Sequence, residues 1–436
     1  MNKIKSYVSF LSIIAVMAST ACSGPGKPNA YEPGSKSTKT GLSYVRNKRD
    51  ANNEDFEVRD FKGMPEVPDM VYIEGGRMTL GSMQEDPLHL NNNIERTVTV
   101  SSFFMDQTEV ANIHWLEYLH AHSHYNTDSS NTEAKAFYDG LLPDTTVWVE
   151  DLAYNDQYRD HYLRYPGFRF FPVVGVSWVQ ANEYSKWRTQ VVNKRLALNS
   201  GDPEIEEVAE NIYHYLPLPT EKEELESQQR LMKSISLETG VVLPSFRLPT
   251  EAEWDYAAQA MIGLQDVDEI YSERRIYPWD GHSLRNPYGE EMGNFMANFK
   301  RGRGDYAGIG GQPNDGAAIT QEIFDNPPND FMLYNMAGNV SEWVLDVYRP
   351  TSYEMVSGLN PVRRDGAKDP QADYNDMYGG VEDRTYISNK IRVYKGGSWK
   401  DSAYWLAVGT RRFLHEEDAS SAIGFRCAMT YPGRNR

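Results

Sequence analysis

Thiols, imidazoles and one glycine-rich loop are the parts of this chain whose residue types could do chemistry, and all are sparse. There are 2 cysteines in 436 residues, Cys22 and Cys427. If Cys22 is consumed as an acyl acceptor, a single thiol remains. No intramolecular disulfide, cysteine-based zinc site or dithiol chemistry can then form. Cys427 stands in the short run Gly424-Phe-Arg-Cys-Ala428, where a cysteine reads as a small buried residue rather than as a nucleophile. His114, His120, His122 and His124 cluster, but spacings of 6, 2 and 2 do not put three imidazoles on one helical face. They read as caps on helix carbonyls or as solvated side chains. The loop Lys300-Arg-Gly-Arg-Gly304 follows no evident strand and opens no helix, so it fails the context test for a phosphate cradle.

The elements around these residues read as a loop-rich α+β body. Asp69-Met-Val-Tyr-Ile-Glu-Gly-Gly76 alternates as a half-buried strand that turns at its glycines. A second strand signal covers 97–105. A helix is expected over 108–121, with Trp115, Leu116 and Leu119 on one side. Another begins near Ser177 and carries an aromatic stripe of Trp178, Tyr184 and Trp187. The best-specified helix starts at Thr250, whose Glu253 three residues on makes a capping box. Trp254, Ala257, Ala258 and Met261 should share its packed face. After Gln259 the texture turns to Gly, Asn, Pro, Asp and Tyr, with brief strand signals at 392–395 and 424–428. Segments 125–170, 192–245 and 351–390 look inserted, the middle one with helical parts at 204–208 and 221–235. Long ordered insertions serve either as binding elements or as solvated decoration.

Bulk properties narrow the partners. A formal net charge of −18 repels phosphate backbones, so no nucleic acid is expected. The 28 tyrosines and 9 tryptophans suit a loop-rich core first and binding faces second. At the start, Lys3 and Lys5 precede an apolar run over 8–17, then Ala18-Ser-Thr-Ala21 and Cys22. Small residues before a cysteine resemble a bacterial lipoprotein signal, and the run is too short to span a bilayer. The expected layout is a signal peptide over 1–21 and a flexible tether over 22–68, with lipidated Cys22 as the membrane contact. A folded domain follows over 69–431.

Eight short motifs, in order, carry a family resemblance. They begin with Met70-Val-Tyr-Ile-Glu-Gly-Gly76, Asp106-Gln-Thr-Glu-Val-Ala-Asn112, Pro172-Val-Val-Gly-Val-Ser-Trp178 and Arg247-Leu-Pro-Thr-Glu-Ala-Glu-Trp254. Then come Tyr277-Pro-Trp279, Asn335-Met-Ala-Gly-Asn-Val-Ser-Glu-Trp343, Lys395-Gly-Gly-Ser-Trp399 and Gly424-Phe-Arg-Cys427. The chain resembles the formylglycine-generating-enzyme, or sulfatase-modifying-factor, family. The resemblance implies that family's variant of the C-type-lectin-like α+β fold. A narrower resemblance, carried by Phe104-Met-Asp106, Leu141-Leu-Pro-Asp-Thr-Thr-Val-Trp148 and Tyr162-Leu-Arg-Tyr-Pro166, points to lipoproteins of the gliding and type IX secretion machinery.

The family's chemistry uses cysteines just after Gly-Gly-Ser, because thiolates bind copper and attack or oxidise a substrate cysteine. Residues 399–412 contain none, so no copper is expected and the chain reads as a pseudoenzyme. The resemblance also implies structural Ca2+, a cation wanting six to eight oxygens. One set is Asn298, Phe299, Asp315 and Ala317, with Phe299 and Ala317 acting through their carbonyls. The other is Asn335, Gly338 and Val340, the last two through their carbonyls. The same residues also suit turns. The expected function is a noncatalytic, lipid-anchored scaffold at the periplasmic face of the outer membrane. Its partners would be other secretion and gliding lipoproteins and ring proteins. A lectin-like receptor for glycans or peptides, and an enzyme with a cysteine-free site, are the alternatives.

Overall fold

The structure, a computed structural model, describes residues 28–30, 32–45, 56–58, 61, 63–81, 93–127, 131–150, 153–235, 237–262, 275–289, 292–302, 317–349, 357–363 and 389–433. Cys22, Asp315, the last two residues of the 300–304 loop and most of the 351–390 segment lie outside them. The chain divides into two compact units. The first, Met1–Pro65 with Ser236–Val241, holds a parallel pair of strands, β1 (Tyr44–Val45) and β2 (Phe56–Glu57). These fall within the segment expected as tether.

The second unit, Glu66–Ile235 with Val242–Arg436, carries the motifs. Its first sheet has the order β3-β6-β12-β7, made of Met70–Ile73, Phe103–Asp106, Ala428–Thr430 and Phe246–Arg247. Its second has the order β10-β9-β8-β11, made of Arg412–His415, Ile391–Lys395, Ser341–Val347 and Ile423–Gly424. A hairpin of β4 (Gly76–Leu80) and β5 (Arg96–Val100) stands beside them. The expected single strand at 424–428 is therefore two strands. Ile423 pairs with Ser341 in one sheet, and Ala428 pairs with Met105 in the other. Phe425, Arg426 and Cys427 bridge the sheets at 0% exposure. The backbone of Phe425 accepts from Val110 N–H at 2.9 Å, and that of Cys427 from Asp106 N–H at 2.9 Å.

Helix α1 is Asn112–Ala121, shorter than expected. Residues 108–111 stay outside the helix because Val110 pairs with Phe425 and Val173, and Ala111 bridges to Pro172. Helix α2 (Thr132–Leu141) takes an Asn131 cap. Helix α3 (Trp178–Leu198) starts at a Ser177–Gln180 capping box and runs through the expected insertion boundary at 192. Within that insertion, α4 (Pro203–Glu210) and α5 (Lys222–Ser234) match the expected helical parts. Helix α6 (Glu251–Gln259) has the Thr250–Glu253 box. All nine of its residues are buried, so it has no solvent face. Ala260, with φ of 44°, ends it, leaving Met261 beyond the helix.

The core follows from this arrangement. Trp115 stacks on Tyr184 with centroids 5.5 Å apart, and Phe425 meets both rings edge-on. That packing fixes α1 and α3 against the strand bridge. Helix α6 packs with Met78, Val98, Phe103, Val344 and Val393 in a second cluster. Among the described residues, no helix is long and apolar enough to cross a membrane.

Candidate functional site

The Gly-Gly-Ser loop leaves β9 and turns immediately. Gly397 has φ of 69°, and a Cβ there would lie 2.8 Å from the Trp405 carbonyl oxygen. Only glycine fits both constraints. Beyond the turn, Asp401 accepts from Arg412 Nη1 at 2.7 Å, from its Nη2 and from the Ser398 hydroxyl. The Arg412 guanidinium stacks over Tyr394 and Trp405 at 4.9 and 4.7 Å. Trp399 stacks on Trp148 with centroids 5.8 Å apart, and Lys400 reaches Glu150 at 2.6 Å. The window from 399 to 412 is thus closed by an ion pair and an indole stack. Trp148 comes from the 125–170 insertion, so that insertion covers part of the window.

Cys427 sits elsewhere, buried, with its Sγ 3.4 Å from the Ser185 hydroxyl. Burial first, then the Asp106 carboxylate, pushes its thiol up to about 12. A thiol held in that range is inert at neutral pH.

Behind the loop lies a network of buried charge. Arg426 grips both Glu342 oxygens at 2.8 and 2.6 Å, and also donates to the Tyr334 carbonyl at 2.7 Å. Trp254 Nε1 donates to Glu342 Oε2 at 2.8 Å. Glu109 accepts from Asn335 and Asn339 amides at 2.9 and 3.0 Å. Burial raises its carboxyl to about 8. On the other side of Trp254, Lys395 Nζ meets Asp255 at 2.8 Å and Glu251 at 3.7 Å. Burial raises Asp255 and Asp346 to about 7, with the Lys395 charge opposing it at Asp255 and the Glu251 charge adding to it at Asp346. Burial pushes Glu251 the same way, but Arg411 and Lys395 outweigh it and hold that carboxyl below its ordinary range.

The proposed calcium donors are placed as follows. Gly338, with φ of 80°, brings the 335–340 turn against Asn298, whose carbonyl accepts from Asn339 N–H at 2.8 Å. A Cβ on Gly338 would lie 2.5 Å from that oxygen. So the turn puts Asn335, Gly338 and Val340 together and draws Asn298 to them. The Asn335 side-chain oxygen and the Asn298 carbonyl are engaged, however. Asn335 Oδ1 accepts from Asn326 Nδ2 at 2.8 Å, and its Nδ2 faces Glu109 and the Ile323 carbonyl. In the other set, the Arg301 guanidinium donates to the Ala317 carbonyl at 3.0 Å, and Asn298 Nδ2 donates to Ile319. A cation already fills that place. Ca2+ wants six to eight unspent oxygens including charged ones, and of these donors the Asn335 side chain and the Asn298 and Ala317 carbonyls are already accepting hydrogen bonds, while Asp315 lies outside the described residues. No group of three His, Cys, Asp or Glu side chains among the described residues could hold a metal ion.

His122 departs from the solvated reading. It is 0% exposed, with Nδ1 on the Tyr118 carbonyl at 2.8 Å and Nε2 accepting from Leu216 N–H at 2.9 Å. It does engage a helix carbonyl, but from within the core. The buried acids Glu109 and Glu342 and the Asp401–Arg412 pair went unnoticed in sequence. Their one signal was charge inside otherwise apolar motifs.

Comparison with known proteins places this geometry. Residues 57–431 match the family model of the sulfatase-modifying factor enzyme 1-like domain. The chain is 25% identical over 368 residues to the formylglycine-generating enzyme of Mus musculus, covering 83% of this chain and 75% of that protein. It is 24% identical to the inactive C-alpha-formylglycine-generating enzyme 2 of Bos taurus, covering 84% and 89%. A serine/threonine-protein kinase pkn1 of Chlamydia pneumoniae is 26% identical over 376 residues, 85% of this chain. The chain spans only 39% of the length of that relative. Among solved structures, PvdO from Pseudomonas aeruginosa aligns with a TM-score of 0.45 and 16% identity, covering 84% of this chain and 96% of that one.

Proposed function

The chain belongs to the family of sulfatase-modifying factor enzyme 1-like domains, and from that premise we propose that it is a noncatalytic, lipid-anchored scaffold. Its assembly would be the type IX secretion and gliding machinery, at the periplasmic face of the outer membrane. Its group within the family would be that of the gliding lipoprotein GldJ, with GldK next. The observation that carries the noncatalytic reading is the Asp401–Arg412 pair, at 2.7 Å, in the window where the family's thiols would stand. Cys427, the one thiol among the described residues, is sealed at 0% exposure. The family includes a relative described as inactive, so loss of the chemistry has precedent on this fold. Lipid anchoring is supported by Lys3, Lys5, the apolar run and the small residues before Cys22. The secretion assignment is supported by the segments around Trp148 and Tyr162, which pack together with rings 4.9 Å apart and cover the thiol-free window. A surface recast there suits partners rather than turnover.

The test is a mild-detergent pull-down of the tagged protein from its own membranes, with mass spectrometry of what remains bound. Stoichiometric recovery of secretion lipoproteins and ring proteins is expected. A cleanly solubilised protein without partners would sink the scaffold reading. Conversion of a cysteine peptide to an aldehyde in the presence of copper would sink the noncatalytic one.

A further inference from the structure

A cleft of about 280 Å3 opens between the ends of β3 and β6 and one face of α3, in the second unit. It shares no residue with the Gly-Gly-Ser window. Its floor is apolar: Tyr184, Trp187, Val191 and Val192 recur on the inner face of α3, with Val110 opposite. Its walls carry the carboxyls of Asp69, Asp106, Glu109 and Glu117 against Arg188 and Arg195.

These charges are unequally spent. Arg188 is committed, donating to Asp106 Oδ2 at 2.7 Å and to the Pro68 carbonyl at 3.2 Å. Glu109 has both oxygens on asparagine amides. What remains is Asp69, Glu117 and the second oxygen of Asp106 against the one cation Arg195, which makes no ion pair among the described residues. Asp106 is 3% exposed, and its second oxygen, Oδ1, is buried without a hydrogen-bond partner. Asp69 stands next to it, since Met70 pairs with Asp106 across β3 and β6 and Gln107 N–H donates to the Asp69 carbonyl at 3.2 Å. No side-chain partner of Asp69 is found among the described residues. Its carboxyl lies above the ordinary value because of burial and then the Asp106 charge. His114 adds no cation here: burial lowers its pKa, and Nδ1 accepts from Ala111 N–H at 3.2 Å, which leaves the proton on Nε2.

A buried, unpartnered carboxylate oxygen costs free energy until a donor reaches it. Arg188 offsets Asp106 on its Oδ2 side only, and a second positive charge between Asp69 and the Oδ1 side of Asp106 would relieve the repulsion that remains between the two carboxylates. An ammonium group supplies three donors and that charge, and an alkyl arm would lie along the valines and Trp187. We propose that this cleft binds an alkylammonium group, as on a lysine side chain or a free amine. This site goes beyond the scaffold role and does not depend on it.

The test is isothermal titration of the full chain with three probes. They are N-acetyl-lysine methylamide, its uncharged counterpart N-acetyl-norleucine methylamide, and 1,5-diaminopentane. Saturable binding of either amine, at least tenfold tighter than of the norleucine probe, is expected. Preference between the two amines tells a peptide source from a free one. Asp69 has φ of 56°, a left-handed conformation that Asn tolerates well, so Asp69→Asn should fold and weaken amine binding about tenfold. Glu117→Gln, exposed on α1, should weaken it less. Equal affinity for lysine and norleucine probes, no saturable binding of any probe, or unchanged binding by folded Asp69→Asn would overturn the proposal.

Discussion

Arg426–Glu342 and Asp401–Arg412 are both bidentate pairs, yet their surroundings are opposite. The first has side chains 0% and 1% exposed, with Trp254 and the Tyr334 carbonyl completing its hydrogen bonds. The second has side chains 13% (Asp401) and 22% (Arg412) exposed and stands at the rim of the loop. Removing a partner from a sealed pair leaves a buried charge without compensation, whereas a rim pair can turn to water. The interior pair therefore holds the two sheets together, and the rim is where residue types can change without endangering the fold. On the proposed noncatalytic reading, a chain could keep the family's frame while the residues of this rim change.

The hardest test of this contrast is Arg426→Met. It strands the Glu342 carboxylate beside Trp254 and should cost about 3–5 kcal/mol, read as a shift in the urea midpoint. A loss below about 1 kcal/mol would show that the interior pair behaves like the rim pair, and the contrast would fail.

The same interior should set the pH response. Glu109's carboxyl moves from its ordinary 4.5 to about 8 in the folded chain. Between those values the folded chain keeps a proton that the unfolded chain releases. The stability this group contributes is complete below pH 4.5 and is lost as pH rises to about 8. Asp255 and Asp346, raised from 3.8 to about 7, act in the same direction but finish earlier. All three carboxyls therefore contribute to one fall in stability with rising pH, and the Glu109→Gln variant picks out the share of Glu109 in its upper part, from pH 7 to 8. Unfolding free energy should fall there by up to about 1.4 kcal/mol per unit. In Glu109→Gln the slope should flatten, whatever the absolute level. An unchanged slope would assign the proton elsewhere.

At the rim, Asp401→Asn should cost about 1 kcal/mol or less, because the pair is partly solvated and Ser398 and Arg412 can rehydrate. Thermal melting of this variant beside Arg426→Met measures the two regions on one scale. A loss equal to that of Arg426→Met would make the window part of the frame.

Much of the frame was legible before the structure. Thr250 and Glu253 are three residues apart and meet as a capping box, a local pattern that sequence carries in full. The aromatic stripe of α3 is equally local. Motif order implied the fold, and the family match over 57–431 bears that out. What was hidden depends on distant residues. Residues 424–428 look like one strand, but partners at Ser341 and Met105 divide them between sheets. His122 looks exposed at a helix end until Leu216, from the middle insertion, arrives to bond its ring. Helix α6 promises a polar face, yet Lys395 and Arg411 bury its acids by pairing with them. The site was legible mainly by what was missing after Gly-Gly-Ser. The Asp401–Arg412 pair in that window could not be read from sequence, because a turn and a returning strand bring the two together.

The smallest expected effect concerns calcium, and it asks whether the Asn-rich turn belongs to the interior or to the rim. The Asn339 amide is oriented by a backbone donor, since its Oδ1 accepts from Gln321 N–H at 2.9 Å. Its Nδ2 must then face Glu109. The Asn335 Nδ2 also faces Glu109, and its Oδ1 is held by Asn326. Binding Ca2+ would require Asn335 to leave Asn326 and would favour an ionised Glu109, which burial opposes. The melting temperature should therefore be the same in millimolar calcium and in chelator. A site filled at a hundred times its Kd would add about 2.7 kcal/mol, a rise of several degrees that melting would readily detect. Such a rise would mean that the cation itself pulls Glu109 to its charged form. It would then be abolished in Glu109→Gln, and the turn would have to be moved from the closed interior to the responsive rim.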